Sequence, residues 1–216
     1  MMDNLFLKKH FIFDLDGTLI NSNLLHEKAF LEALDGLSID FKYSDFYGVK
    51  TFDVFKALGF SDEKSKKLTI SKQERYRSYV DNGLVEVFEG VSDLFNLLNV
   101  HEKKIYLCTG ASRKSVDKIS KLFSWNMIFK DTICGDEVEH SKPHPEILNS
   151  IIERNSIDAN DVLYVEDSDK GLDTGLNAGV DTVIVHNYFK NAQMCFSEFF
   201  DFYDFVNESF KFKGVA

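Results

Sequence analysis

The chain has 216 residues, 44% of them hydrophobic, with 25 Lys and Arg against 35 Asp and Glu for a formal net charge of -10. That is enough apolar material to bury a core in one large domain, or in one domain with a modest insertion, and it excludes a disordered chain. The acidic balance excludes unspecific binding to nucleic acid or to an anionic membrane, since both need a basic surface, so any anionic substrate must be met by locally concentrated positive charge.

Residues 11–13 form an apolar run that reads as a buried strand, and it delivers Asp14 and Asp16 just before Gly17 and Thr18. A turn at the glycine lets both carboxylates end in the crevice beyond the strand. Crowding two acids there costs free energy, and a divalent cation is the usual compensation. From residue 22 to residue 87 strand-like runs give way to helical periodicity. Leu24, Ala29, Phe30, Leu31 and Leu34 predict one amphipathic helix with Ser22 or Asn23 at its N-cap and Gly36 as its stop. Phe52, Phe55, Ala57 and Leu58 predict a second, ended by Gly59. A third starts near Ser61 and runs to about Asp81. Lys64, Lys66, Lys67, Lys72, Arg75 and Arg77 make it locally basic, as a solvated helix face would be.

After Gly90 strands and helices alternate: helices over 91–98, 115–123, 145–154 and 171–178, strands over 105–108, 132–134, 162–165 and 182–185. This order predicts a parallel α/β sheet covered on both faces, doubly wound, with ligands bound beyond the carboxyl ends of its strands. The chemistry-bearing residues fall at those ends. Thr109 and Gly110 follow one strand and precede a helix, offering a phosphate a hydroxyl, backbone N–H groups and a helix N-terminus. Glu166 and Asp167 follow another and add oxygen ligands suited to a hard cation. Lys142 stands in a loop stiffened by Pro143 and Pro145, and His140 and His144 beside it read as loop residues, not ligands. The tail alternates Phe196, Phe199, Phe200, Phe202, Tyr203, Phe205, Phe210 and Phe212 with acids, which predicts an amphipathic helix packed on the core, with a dimer contact as the alternative. Cys108, Cys134 and Cys195 lack metal-type spacing, the N-terminus lacks a signal-peptide pattern, and no apolar run suffices to span a bilayer. A reduced, cytoplasmic protein is expected.

In this order, Asp14-Leu15-Asp16-Gly17-Thr18, Thr109, Lys142-Pro143 and Glu166-Asp167-Ser168 resemble the four signature motifs of the haloacid dehalogenase superfamily. Gly171-Leu172 and Asn177-Ala178-Gly179 draw the chain toward the β-phosphoglucomutase-like and sugar-phosphate phosphatase branch. The resemblance implies a Rossmann-like core of residues 1–20 and 88–216 with strand order 3-2-1-4-5, and a helical cap domain of residues 21–87. It also implies Mg2+ held by Asp14, the Asp16 backbone carbonyl and Asp167, with Glu166 as a direct or more distant ligand. Asp14 would be the nucleophile and Asp16 the proton shuttle, while Thr109, Gly110 and Lys142 would hold the transferring oxygens.

Halide-removing members of the family lack the second aspartate, so Asp16 favours phosphoryl transfer. Gly48-Val49 resembles the mutase substrate loop, but the basic residue that mutases place two positions later is Thr51 here, with Lys50 or Lys72 as candidate substitutes for contacting substrate. The expectation is a magnesium-dependent phosphatase acting on a small phosphorylated metabolite, as a monomer or weak homodimer, with a phosphomutase and a non-catalytic phosphate-binding protein as the alternatives.

Overall fold

A computed structural model describes residues 7–211. Its first strand, β1 (His10–Phe13), is buried on both faces: Phe11 and Phe13 enter one apolar cluster and Ile12 enters the other. That two-sided burial is why the strand reads as an unbroken apolar run instead of an alternating one.

The chain then forms a short strand β2 (Ile20–Asn21), three helices α1 (Asn23–Ala33), α2 (Thr51–Ala57) and α3 (Asp62–Asp81), and a short strand β3 (Glu86–Val87). Strands β2 and β3 pair antiparallel, so the helical segment leaves and re-enters through one two-stranded neck. Its helices enclose a cluster of their own around Phe30, Val54, Phe55 and Leu68. At the start of α3 the Ser61 side chain accepts a hydrogen bond from the Lys64 amide, as an N-cap should. Ser22, by contrast, makes no cap bond at α1; its hydroxyl is engaged elsewhere, as described below. Lys64, Lys66, Lys67 and Arg75 are exposed as expected, but Lys72 is buried.

The remaining elements are α4 (Val91–Val100), β4 (Lys104–Thr109), α5 (Arg113–Leu122), β5 (Asp131–Cys134), α6 (Glu146–Arg154), β6 (Val162–Glu166), α7 (Asp169–Ala178), β7 (Asp181–Val185), β8 (Cys195–Phe196) and α8 (Phe199–Lys211). The sheet runs β5-β4-β1-β6-β7-β8 and every pair in it is parallel. Its first five strands reproduce the expected 3-2-1-4-5 order, and β8 is an addition at the β7 edge. Helices α4, α5 and α8 contribute to the cluster on one face, and α6 to the cluster on the other. Phe199, Phe202 and Val206 of α8 are buried in the core, so the aromatic tail packs on its own chain; Phe212 lies outside the described residues. Among the described residues no helix is long and apolar enough to cross a membrane.

The strand order reverses at β1, between β4 and β6. Phe13 pairs with Leu107 on one side and Val165 on the other, so one further step brings Asp14 level with Glu166. A parallel sheet opens its crevice at such a point.

Candidate active site

Asp14 and Lys142 meet at the mouth of that crevice. Both are buried, and Lys142 Nζ lies 2.6 Å from Asp14 Oδ1 and 2.5 Å from Glu166 Oε1. Glu166 also accepts Tyr164 OH on Oε1, and on Oε2 it accepts the amides of Asp167 and Ser168 and the Ser168 hydroxyl. With both oxygens so occupied, Glu166 is an anchor for Lys142 and for the following turn. Of the two expected roles, direct or more distant metal ligand, these bonds accord with the more distant one. Asp167 is less committed: Thr18 Oγ1 donates to its Oδ1 at 3.2 Å. Gly17, at φ +84°, passes so close that a Cβ there would stand 2.2 Å from Asp167 Oδ2. Only glycine allows the Asp14–Thr18 turn to wrap this carboxylate.

Three buried carboxylates therefore share one lysine. Burial, helped by the Glu166 charge and opposed by Lys142, pushes the Asp14 carboxyl up to about 8. Burial, with the charges of Glu166 and Asp14, carries Asp167 well above the carboxylate range. Glu166 goes the other way: burial works upward, but the Lys142 charge and hydrogen bond and the Ser168 donors hold it down. For Lys142 burial works downward and is outweighed by Asp14 and Glu166, which keep it protonated. Fully ionised, three carboxylates and one ammonium would carry a surplus of two negative charges, which is why Asp14 and Asp167 hold their protons when no cation is bound. Oxygen donors with that surplus fit a hard divalent cation.

Asp16, two residues from Asp14, has a wholly different environment. Ser22 Oγ donates to its Oδ1 at 2.7 Å, Tyr76 OH at 3.0 Å, and His26 Nε2 at 2.9 Å. His26 Nδ1 in turn lies 2.5 Å from Lys72 Nζ, which fixes the tautomer that donates from Nε2 and accepts at Nδ1. Burial works to raise the Asp16 carboxyl, but the His26 charge and hydrogen bond, the Ser22 hydroxyl and the Lys72 charge outweigh it and hold the group below the usual range. Burial depresses His26. Burial also pulls the Lys72 ammonium down to about 7 against the attraction of Asp16.

The predicted residues thus divide. Asp14, Asp16, Thr109, Gly110 and Lys72 line one cavity of about 30 Å³, room for about two waters. Thr109 is buried and its Oγ1 accepts the Ala111 amide, which shapes the loop at the end of β4. Gly110 faces the helical segment so closely that a Cβ would stand 2.9 Å from the Gly48 carbonyl oxygen. Lys142, Glu166 and Asp167 form the wall behind Asp14. Lys50 does not reach the cavity: its Nζ donates to the carbonyls of Val138 and Glu139 and pairs with Asp53 at 3.5 Å. It fastens the helical segment to the Lys142 loop, which corrects its assignment to substrate. From the sequence Ser22 reads only as a helix cap, and His26 and Tyr76 have no site role. Their signal is two pairs four residues apart, Ser22 with His26 and Lys72 with Tyr76, at inward positions among mostly apolar ones.

Fold and cluster together define an α/β enzyme with its site at the carboxyl ends of the central strands. Residues 11–185 match the family model described as haloacid dehalogenase-like hydrolase. The chain belongs to that family. It is 33% identical over 178 residues to the pyrophosphatase PpaX of Bacillus mycoides (strain KBAB4), a match that covers 81% of each chain. Among solved structures, a β-phosphoglucomutase from Clostridium difficile shares the fold at a TM-score of 0.83 and 21% identity, over 97% of this chain and 100% of that one. CbbY from Rhodobacter sphaeroides, solved in complex with phosphate, does so at a TM-score of 0.80 and 21% identity, over 90% and 96%. At such identities these two likenesses show the fold alone.

Proposed function

We propose that this chain is a Mg2+-dependent phosphatase that hydrolyses a small phosphomonoester or phosphoanhydride through an aspartyl-phosphate on Asp14. One observation carries the reading: two carboxylates one residue apart have separate sets of partners, Asp14 bonded to Lys142 at the strand ends and Asp16 to Ser22, His26 and Tyr76. Divergent environments on neighbouring acids are how a site assigns a nucleophile and a proton carrier.

Lys142 fixes Asp14 through Oδ1 and leaves Oδ2 to attack phosphorus in line with the leaving oxygen. The P–O bond to the leaving group breaks, and that oxygen takes its proton from Asp16. Water then attacks the aspartyl-phosphate, gives a proton to Asp16, and releases phosphate and the free Asp14 carboxylate. Ser22, His26 and Tyr76 all bond the same oxygen of Asp16, Oδ1, which leaves Oδ2 to carry the proton. As held here Asp16 is ionised and ready as the base of the second half. Protonation of Oδ2 for the first half is available from Lys72, which lines the same cavity as Asp16 and can pass a proton through a water there. Thr109, the Gly110 amide and Lys142 bind the transferring oxygens. Mg2+, held by the carboxylates of Asp14 and Asp167 and the Asp16 backbone carbonyl, would supply charge neutralisation to the phosphoryl group in transfer.

Residues 21–87 act as a cap domain over a core of residues 1–20 and 88–216, hinged at the β2–β3 neck. The small cavity, roofed by Phe30, Tyr43 and Val49, favours a compact leaving group. Pyrophosphate and phosphoglycolate are first choices. Thr51, which lines the cavity, supplies no charge for a second phosphate of a sugar bisphosphate, so hydrolysis is favoured over a mutase reaction. The three free cysteines accord with a reducing cytoplasm, and the burial of Phe199 and Phe202 of α8 with a monomer.

The test is magnesium-dependent phosphate release from pyrophosphate, phosphoglycolate and a series of sugar phosphates. Release from none of them by folded, Mg2+-loaded protein rejects hydrolysis. Conversion of a hexose 1-phosphate to its 6-phosphate without release assigns a mutase.

A further inference from the structure

Outside the crevice, the described residues gather one other set of metal-ligating side chains: His140, His144 and Glu146, whose ligand atoms lie within 4.8 Å of one another. We infer that these three form a second metal site, for a zinc-class transition ion, on the outer face of the loop that carries Lys142. The chemistry of the donors selects the ion. Two imidazoles and a carboxylate suit Zn2+, Co2+ or Ni2+ and are poor ligands for Mg2+, which prefers oxygen throughout. Carboxylates at the strand ends and imidazoles outside thus sort two classes of cation.

The group is already arranged. Glu146, the first residue of α6, accepts the amides of Glu139 and His140, both at 2.8 Å, and His140 Nδ1 at 2.9 Å. These bonds keep its carboxyl ionised, pushed down to about 2, chiefly by the Glu139 amide. The imidazoles of His140 and His144 lie face to face with centroids 4.3 Å apart, and both are exposed. They face a cleft of about 550 Å³ that also reaches Asp53 and Asn177, so an ion has a path in. Ligand atoms around a tetrahedral zinc ion stand roughly 3.3 Å apart, so the exposed rings need turn by about an ångström or two to close on it. The His140 Nδ1–H bond to Glu146 is the contact that the ion replaces. Its proton moves through solvent to Nε2, and the freed Nδ1 lone pair and the carboxylate oxygen both face the metal.

The test uses the whole chain, saturated with Mg2+, titrated with Co2+ and followed by its visible absorption. Wild-type protein should bind one Co2+ with the intense bands of a four-coordinate site, and Zn2+ should displace it. The double variant His140→Ala, His144→Ala should lose at least about tenfold in Co2+ affinity, because two of three ligands are gone. Both side chains are on the surface, so the variant's circular dichroism and magnesium-dependent turnover should match the wild type. Absence of a saturable Co2+ signal in the wild type overturns the site, and so does equal affinity in the double variant.

Discussion

Replacing Lys72 by methionine should make the protein more stable and less active. Lys72 is 3% exposed, with Nζ 2.5 Å from His26 Nδ1 and 4.5 Å from the Phe30 ring centre. Burial lowers its ammonium from 10.5 to about 7. A base with a lowered folded value weighs against folding below that value, and the stability is regained as pH rises toward 10.5. From those two values the cost is about 4 kcal/mol at neutral pH and about 1 kcal/mol at pH 9.5. Methionine keeps the apolar stem and forfeits one hydrogen bond to His26, about 1 kcal/mol. A net gain of about 3 kcal/mol near neutrality remains, or roughly 6–12 °C in Tm for a chain of this size. Urea unfolding of both proteins at pH 6.5 and pH 9.5 measures this, together with magnesium-dependent phosphate release. Turnover should fall by about 100-fold as Asp16 loses its connected proton source. A variant less stable than the wild type at pH 6.5 would refute the reasoning, as would a difference that does not shrink by pH 9.5.

Asp14→Asn should cut phosphate release by at least about 1,000-fold with no fall in Tm, since a crowded acid is replaced by a neutral isostere; retained turnover removes Asp14 from the nucleophile role. For Asp14 the pH argument has the opposite sign to that for Lys72. A carboxyl raised from 3.8 to about 8 favours folding at low pH and loses that contribution as pH rises through about 8, so the stabilisation by Mg2+ should grow across this window. Thermal unfolding with Mg2+ and with EDTA from pH 5.5 to 8.5 measures it, and a constant difference counts against the cluster as the metal site. Gly171→Ala should destabilise by about 2–4 kcal/mol and impair turnover, because its Cβ would stand 1.9 Å from the Glu166 carboxyl carbon and loosen the Lys142 anchor; a neutral effect in urea unfolding would show that Glu166 tolerates displacement.

Much of the fold was legible because its signals are local. The apolar runs that became β1, β4 and β6 each end in the groups that line or back the crevice, and a parallel sheet obliges those ends to meet. Strand β8 was not legible: two residues, recognised only by pairing with Ile184 and Val185, carry no periodicity. The neck of β2 and β3 escaped for the same reason. In the site, Asp14, Asp16 and Lys142 declare themselves by motif, whereas the partners of Asp16 depend on how α1 and α3 dock on the core. Lys72 shows the difference most clearly. On helical spacing it belongs to a solvated basic face, and only tertiary packing turns it inward to His26. Lys50 shows the converse, a lysine next to the substrate loop whose ammonium is taken by the carbonyls of a neighbouring loop.

The bonds that hold Asp16 come from Ser22 beside the neck, from His26 on α1 and from Tyr76 on α3, all in the segment inserted after the neck's first strand. The proton carrier belongs to the core by chain position and to the inserted helices by allegiance. On the proposed reading this makes an interlock between enclosure and reactivity. Swinging the helices away withdraws three donors from one oxygen at once, so Asp16 drifts back toward an ordinary carboxyl and can be recharged with a proton from bulk water. Swinging them back restores the ionised, oriented carboxylate only when the cavity is sealed. An aspartyl-phosphate exposed in the open state would then meet abundant water but no carboxylate held in place to orient it, and its hydrolysis would wait for closure.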